Sequence, residues 1–128
     1  HINIGVFYLE KNSKCWQVWQ ANLKKTLSSG QIFGSEGLAI NISVYIDDVE
    51  TEFLPINCNW IASNLLPKLD QSNNKFVEPF LPNISIGIIH LAAGIWKDGK
   101  DMRVDKSIKI DIETLSKNKV SKSLRYLN

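Results

Sequence analysis

The stretch Ile84-Ser85-Ile86-Gly87-Ile88-Ile89-His90-Leu91-Ala92-Ala93-Gly94 constrains the fold more than any other: an apolar, β-branched run that admits one imidazole and then gives way to small residues. Its β-branched character and the prolines at 79 and 82 favour a short interior strand over a helix. Side chains alternate along a strand, so Ile84, Ile86, Ile88 and His90 share one face, and Ser85, Gly87, Ile89 and Leu91 the other. Small residues past the end of a buried strand let a ligand approach the backbone, as open α/β sheets do at the carboxyl ends of their strands. His90 is then expected at the rim of a site. The plainer reading, a hydrogen-bonded core histidine, is the commoner fate of such a residue, so the ligand reading needs support from elsewhere in the chain.

With 128 residues and 44% hydrophobic content, residues 1–128 are expected to form a single compact domain. Fifteen basic residues exceed thirteen acidic ones by only two, and the basic residues gather only in 97–109 and 117–125. No basic stripe interleaved with aromatics and no zinc-finger or RNP pattern is present, which argues against a nucleic-acid partner. Cys15 and Cys58 lie far apart with no metal-binding spacing, so free thiols and a cytoplasmic setting are expected. No stretch reaches the length of a transmembrane segment. The chain opens directly into an apolar run at Ile2, which reads as a piece of a longer polypeptide.

Residues 2–9 form a nearly continuous apolar segment, interrupted by Asn3 and Gly5, that suits a strand covered on both faces. Ser13 is placed to cap a helix over 14–29, where Trp16, Trp19, Leu23 and Leu27 trace one stripe and Gly30 provides the stop. Ser35 is placed to cap a second helix over 36–46, largely buried, with Glu36 at its positive N-terminal end and Asn41 pointing into an apolar stripe, where it requires a partner. Asp47, Asp48 and Glu50 read as a solvated acidic turn rather than a metal motif. A short strand over 51–54, a loop, a helical piece over 61–66 stopped by Pro67, and a polar turn over 70–75 follow. Residues 97–100 read as a charged loop around Gly99. Ser107-Ile108-Lys109-Ile110-Asp111-Ile112 alternates cleanly and predicts an antiparallel edge strand, with 115–126 returning as its hairpin partner.

Four of these segments together resemble the carboxyl-terminal half of the GT-A-fold nucleotide-sugar glycosyltransferases, most closely the retaining group that includes glycogenin and bacterial lipopolysaccharide galactosyltransferases. Ile2-Asn3-Ile4-Gly5-Val6 resembles the family's Phe-Asn-Ala-Gly-Val strand, and Glu36-Gly37-Leu38-Ala39-Ile40-Asn41 its Asp-Gln-Asp-x-x-Asn helix start. Leu54-Pro55-Ile56-Asn57-Cys58-Asn59 is similar to its Leu-x-x-x-Trp-Asn turn, and His90-Leu91-Ala92-Ala93-Gly94 to its His-Phe-x-Gly motif. The resemblance implies that Glu36 is catalytic and contacts the donor sugar with Asn3 and Gly5, that Asn41, Asn59 and Gly94 shape the donor pocket, and that His90 reaches the metal and diphosphate. It implies Mn²⁺ or Mg²⁺ in the full-length protein, whose upstream Asp-x-Asp and nucleotide-binding half are absent from this stretch.

The expected fold is therefore α/β: a small mixed sheet with helices packed on it and a C-terminal antiparallel edge hairpin. The expected function is the C-terminal part of an enzyme moving a sugar from a nucleotide-diphosphate donor to an acceptor that the sequence does not specify, completed by the rest of the parent chain. The alternative is a non-catalytic α/β protein-interaction module, which Gly37, in place of the family's glutamine, favours.

Overall fold

A computed structural model describes residues 2–30, 32–92 and 94–125. The chain is α/β in the broad sense, with two helices and eight short strands among the described residues, and it divides into two compact units, His1–Phe53 and Leu54–Asn128. No helix among the described residues is long and apolar enough to cross a membrane.

The first unit is a helical hairpin made of α1 (Cys15–Ser28) and α2 (Ser35–Tyr45). The Ser13 hydroxyl accepts the Cys15 N–H at 3.1 Å, satisfying one of the donors that a helix start leaves orphaned. Gly30, with φ of 86°, ends α1 in the left-handed conformation that favours glycine. At α2 it is Gly34 that precedes the helix, and Ser35 lies inside it, donating its hydroxyl proton back to the Ile32 carbonyl.

The buried seam of this hairpin differs from the expected stripes. Cys15, Asn22 and Thr26 are buried on α1, and Ser35, Ala39 and Ser43 on α2, whereas Trp16, Leu27, Leu38 and Tyr45 are exposed. Ser35, Ala39 and Ser43 on α2, and Cys15, Asn22 and Thr26 on α1 at steps of seven and four, set the buried face of each helix in place of the larger apolar residues. Asn22 bridges the seam by donating to Ser43 Oγ at 3.0 Å and to Asp47 Oδ2 at 2.6 Å. The tryptophans instead stack on each other, with ring centroids 5.9 Å apart, and Phe7 meets the Trp19 ring edge-on. Asp47 and Asp48 are exposed, as a solvated turn requires.

Residues 2–9 do not form the strand expected of them. Gly5 donates to the Asn3 side-chain oxygen at 2.8 Å, a local turn that bends the segment out of any ladder. The backbone of Ile2 pairs with a side chain, Asn41 of α2, in place of another strand. Residues 51–54 likewise carry no ladder.

The second unit holds all of the described strands, as four two-stranded ribbons instead of one mixed sheet. β1 (Trp60–Ile61) runs parallel to β4 (Ile89–His90). β2 (Lys68–Asp70) and β3 (Lys75–Val77) form a hairpin, as do β5 (Trp96–Lys97) with β6 (Lys100–Asp101), and β7 (Ile110–Glu113) with β8 (Lys119–Lys122). A single parallel bridge between Leu69 and Thr114 links the second ribbon to the fourth. The expected helix over 61–66 is a turn closed by the Asn64 N–H on the Ile61 carbonyl.

The polar turn over 70–75 is present, with the Asp70 carboxylate accepting the N–H groups of Ser72 and Asn73. Residues 97–100, expected as a loop, are the turn of the β5–β6 hairpin. Asp98 and Gly99 both take positive φ there, the requirement of the tight turn that a two-residue Asp-Gly connection marks. The C-terminal hairpin matches expectation: Ile108, Ile110 and Ile112 are buried while Lys109, Asp111 and Glu113 face outward. They pack with Trp60, Leu69, Phe76, Ile86, Met102 and Leu124 in the core of this unit. The expected return of the hairpin to Tyr126 lies, at that residue, outside the described residues.

Candidate functional site

The apolar segment 84–94 is more exposed than an interior strand, and its strand is shorter. Among the described residues of the run, only Ile89–His90 forms a strand, Ile84 and Ile88 remain 47% and 44% exposed, and Ile86 alone is buried. Gly87 breaks the run where its N–H turns to the Asn57 carbonyl at 2.9 Å, while Ser85 makes an isolated bridge to Val77. A pairing with β1 on a single side therefore replaces burial on both faces. Ala93, within the expected run, lies outside the described residues.

That parallel pairing positions the imidazole. Trp60 N–H donates to the Ile88 carbonyl at 3.0 Å and Ala62 N–H to the His90 carbonyl at 3.2 Å, so Ile61 stands opposite His90. Asn59, at the end of a 3-10 turn (Ile56–Cys58), is thereby placed with its Oδ1 3.0 Å from His90 Nδ1. An amide oxygen only accepts, so Nδ1 carries the proton and, in the neutral ring, Nε2 carries the lone pair. Two residues singled out in the sequence are thus joined, in an arrangement that fixes the tautomer and orientation of a half-buried imidazole.

Gly94 follows with φ of +75°. A Cβ there would lie 2.9 Å from Trp96 Nε1 and 3.1 Å from Asp101 Oδ2. Asp101 is nearly buried and takes Arg103 Nε at 2.7 Å and the Arg103 backbone N–H at 2.8 Å. The Arg103 side chain beside it holds the Asp101 carboxyl below the usual carboxylate range. Gly94 also lines a cavity of about 610 Å³, whose apolar wall includes Leu65, Leu66 and Ile95 and whose rim carries the Lys68–Glu113 ion pair at 2.9 Å. Sequence reasoning did not mark these charged residues as a group. The inward isoleucines of β7 were the signal, because they force Asp111 and Glu113 outward together.

The remaining candidates lie in the first unit. Asn41 holds the N-terminal segment: its Oδ1 accepts the Ile2 N–H at 2.8 Å, and its Nδ2 donates to Gly37 O at 2.7 Å and Ile2 O at 3.3 Å. This is the inter-element hydrogen bond that an amide on an apolar stripe requires. It joins the segment of Asn3 and Gly5 to the helix of Glu36. Glu36 itself is exposed in the first turn of α2, and its carbonyl accepts the Trp19 indole N–H at 3.2 Å.

No family model, curated protein or solved structure matches this chain. The local geometry therefore carries the functional argument by itself. Among the described residues, no three His, Cys, Asp or Glu side chains gather in a way that could hold a metal ion. Among the described residues His90 stands as a single potential ligand, and no step through a cation is assigned to it.

Proposed function

We propose that the chain is the carboxyl-terminal part of a GT-A-like glycosyltransferase, a transferase moving a sugar from a nucleotide-diphosphate donor to an acceptor. The observation that carries this reading is the 3.0 Å contact between His90 Nδ1 and Asn59 Oδ1, which joins two residues 31 apart in sequence. Both belong to segments in which the resemblance calls for donor-site residues. A departing diphosphate develops negative charge that a fixed imidazole can meet, either through a protonated Nε2 or through its lone pair on a divalent cation. Mn²⁺ or Mg²⁺ would neutralise the leaving diphosphate, and under this reading its other ligands come from outside this stretch.

In the first unit, the contact between Asn41 and the Ile2 backbone supports the same reading, because two further segments of the resemblance meet there. Glu36 is the proposed catalytic carboxylate, with Asn3 and Gly5 as substrate contacts. In the second unit, Gly94, four residues after His90, is the proposed backbone contact of the donor pocket. The free thiols of Cys15 and Cys58 fit a cytoplasmic location.

The test is release of the nucleoside diphosphate from a panel of nucleotide sugars by the full-length protein with Mn²⁺. Release that depends on the cation and is lost in His90→Ala is expected. Neither release nor binding of any donor would overturn the reading. A second reading, a non-catalytic interaction module, is favoured by Ile32 and Phe33 before α2, which are 79% and 94% exposed.

A further inference from the structure

The two basic stretches of the sequence, 97–109 and 117–125, have no part in the function proposed above. The β7–β8 hairpin folds one onto the other. Its register sets Ile110 opposite Lys122, which carries Lys109 beside Ser123. A cavity of about 220 Å³ opens at this end of the hairpin, and Lys109, Lys122, Arg125, Ser121, Ser123 and Asn74 line it. Three cations are gathered there with hydroxyl and amide groups, and none of the described lining residues carries a carboxylate.

Among the described residues, the hydrogen-bond partners of Lys122 and Arg125 are neutral. Lys122 Nζ donates to Asn74 Oδ1 at 2.5 Å and stands 5.8 Å from the centre of the Phe76 ring. Arg125 donates to the Met102 carbonyl at 3.1 and 2.9 Å and also to the Arg103 carbonyl. Asp101, whose field reaches Arg125, is engaged by Arg103 through contacts of 2.7 and 2.5 Å. Asp111 pairs with Ser121 across the ladder but lines the larger cavity of this unit. Ser123 Oγ accepts the Arg125 N–H at 3.2 Å, which leaves its own proton to donate.

Cations held together in this way repel one another unless an anion lies between them, and guanidinium, ammonium and hydroxyl donors in one hollow match a tetrahedral group of several oxygens. The hollow is smaller than the pockets that enclose whole organic ligands, so it suits a terminal group. We propose that this cavity binds a phosphoryl group, borne by a small phosphomonoester or a phosphorylated lipid headgroup. Lys109, Lys122 and Arg125 supply the charge, and Ser121, Ser123 and Asn74 the neutral donors. The site shares no residue with the His90–Asn59 pair.

The test is a nuclear magnetic resonance titration of the full chain at fixed ionic strength, with inorganic phosphate, glycerol phosphate and vesicles containing phosphatidic acid as probes. Saturable amide shifts confined to Asn74, Ser121, Lys122 and Ser123 are expected. Saturation by the soluble probes identifies a soluble ester and saturation on vesicles alone a headgroup; either supports the site. K109Q/K122Q should weaken the affinity by roughly tenfold or more, while K109R/K122R restores it and K119Q, outside the cavity, leaves it unchanged. No saturable shift with any probe, or equal affinity in the glutamine double variant, would overturn the proposal. His90→Ala should leave this titration unaltered, so its outcome is read separately from that of the glycosyltransferase reading.

Discussion

His90 Nδ1 lies 3.0 Å from Asn59 Oδ1, and the parallel pairing of Trp60–Ile61 with Ile89–His90 holds the two residues there. A free imidazole in water favours the proton on Nε2. The amide oxygen reverses that preference.

The first prediction concerns this proton. Nitrogen chemical shifts of the His90 ring should report the Nδ1–H tautomer at neutral pH, and Asn59→Ala should return the ring to Nε2–H while destabilising the fold by about 1 kcal/mol. An unchanged tautomer in Asn59→Ala would show that the contact does not govern the ring.

Gly94 and Gly99 have nearly the same backbone angle, +75° and +74°, but different surroundings. A Cβ at Gly94 meets Trp96 Nε1 at 2.9 Å, whereas one at Gly99 meets nothing within 4 Å. Gly94→Ala should therefore cost about 2–3 kcal/mol and Gly99→Ala about 1 kcal/mol, the backbone term alone. Urea denaturation of the two variants checks the difference; equal costs would mean that close packing at Gly94 contributes nothing.

Acid should weaken the second unit through its carboxylates. The Asn73 side chain lowers Asp70, the Arg103 guanidinium Asp101, the Ser107 hydroxyl Asp105 and the Lys68 ammonium Glu113. A carboxyl group whose folded value is depressed binds its proton more weakly when folded. Its contribution is complete above the unfolded value, about 4, and is lost as the pH falls from there through the folded value. The urea midpoint should accordingly hold between neutrality and about pH 5 and fall below about pH 4. Asp101→Asn should fall less steeply, and an identical acid slope in that variant would remove Asp101 from the account.

Particular residues show why parts of this fold were legible in the sequence. Ile108, Ile110 and Ile112 alternate with charged residues, and one period decides one buried face, so the C-terminal hairpin followed directly. The extents of both helices followed from Ser13, Gly30 and the length of their periodic runs. The helix faces did not, because the seam is made by Cys15, Asn22, Ser35, Ala39 and Ser43, small or polar residues that a hydrophobic pattern passes over. Residues 2–9 looked like a strand by composition, yet strand formation needs a partner, and Asn41 supplied the bonds that a neighbouring strand would have made. Asp98-Gly99 carries a two-residue hairpin signal, but the charged residues around it show no strand pattern, so the sequence alone suggests a loop. Of the candidate site, the sequence points to His90 and Asn59 separately, but their contact depends on a parallel pairing that no local pattern encodes.

The central claim is that His90 serves a nucleotide-diphosphate donor, and calorimetric titration of UDP-sugars with Mn²⁺ into the full-length protein, wild type against His90→Ala, tests it most directly. Saturable donor binding in the wild type, weakened by roughly tenfold or more in His90→Ala with the fold intact, is the predicted result. Equal donor affinity in the two proteins would contradict it.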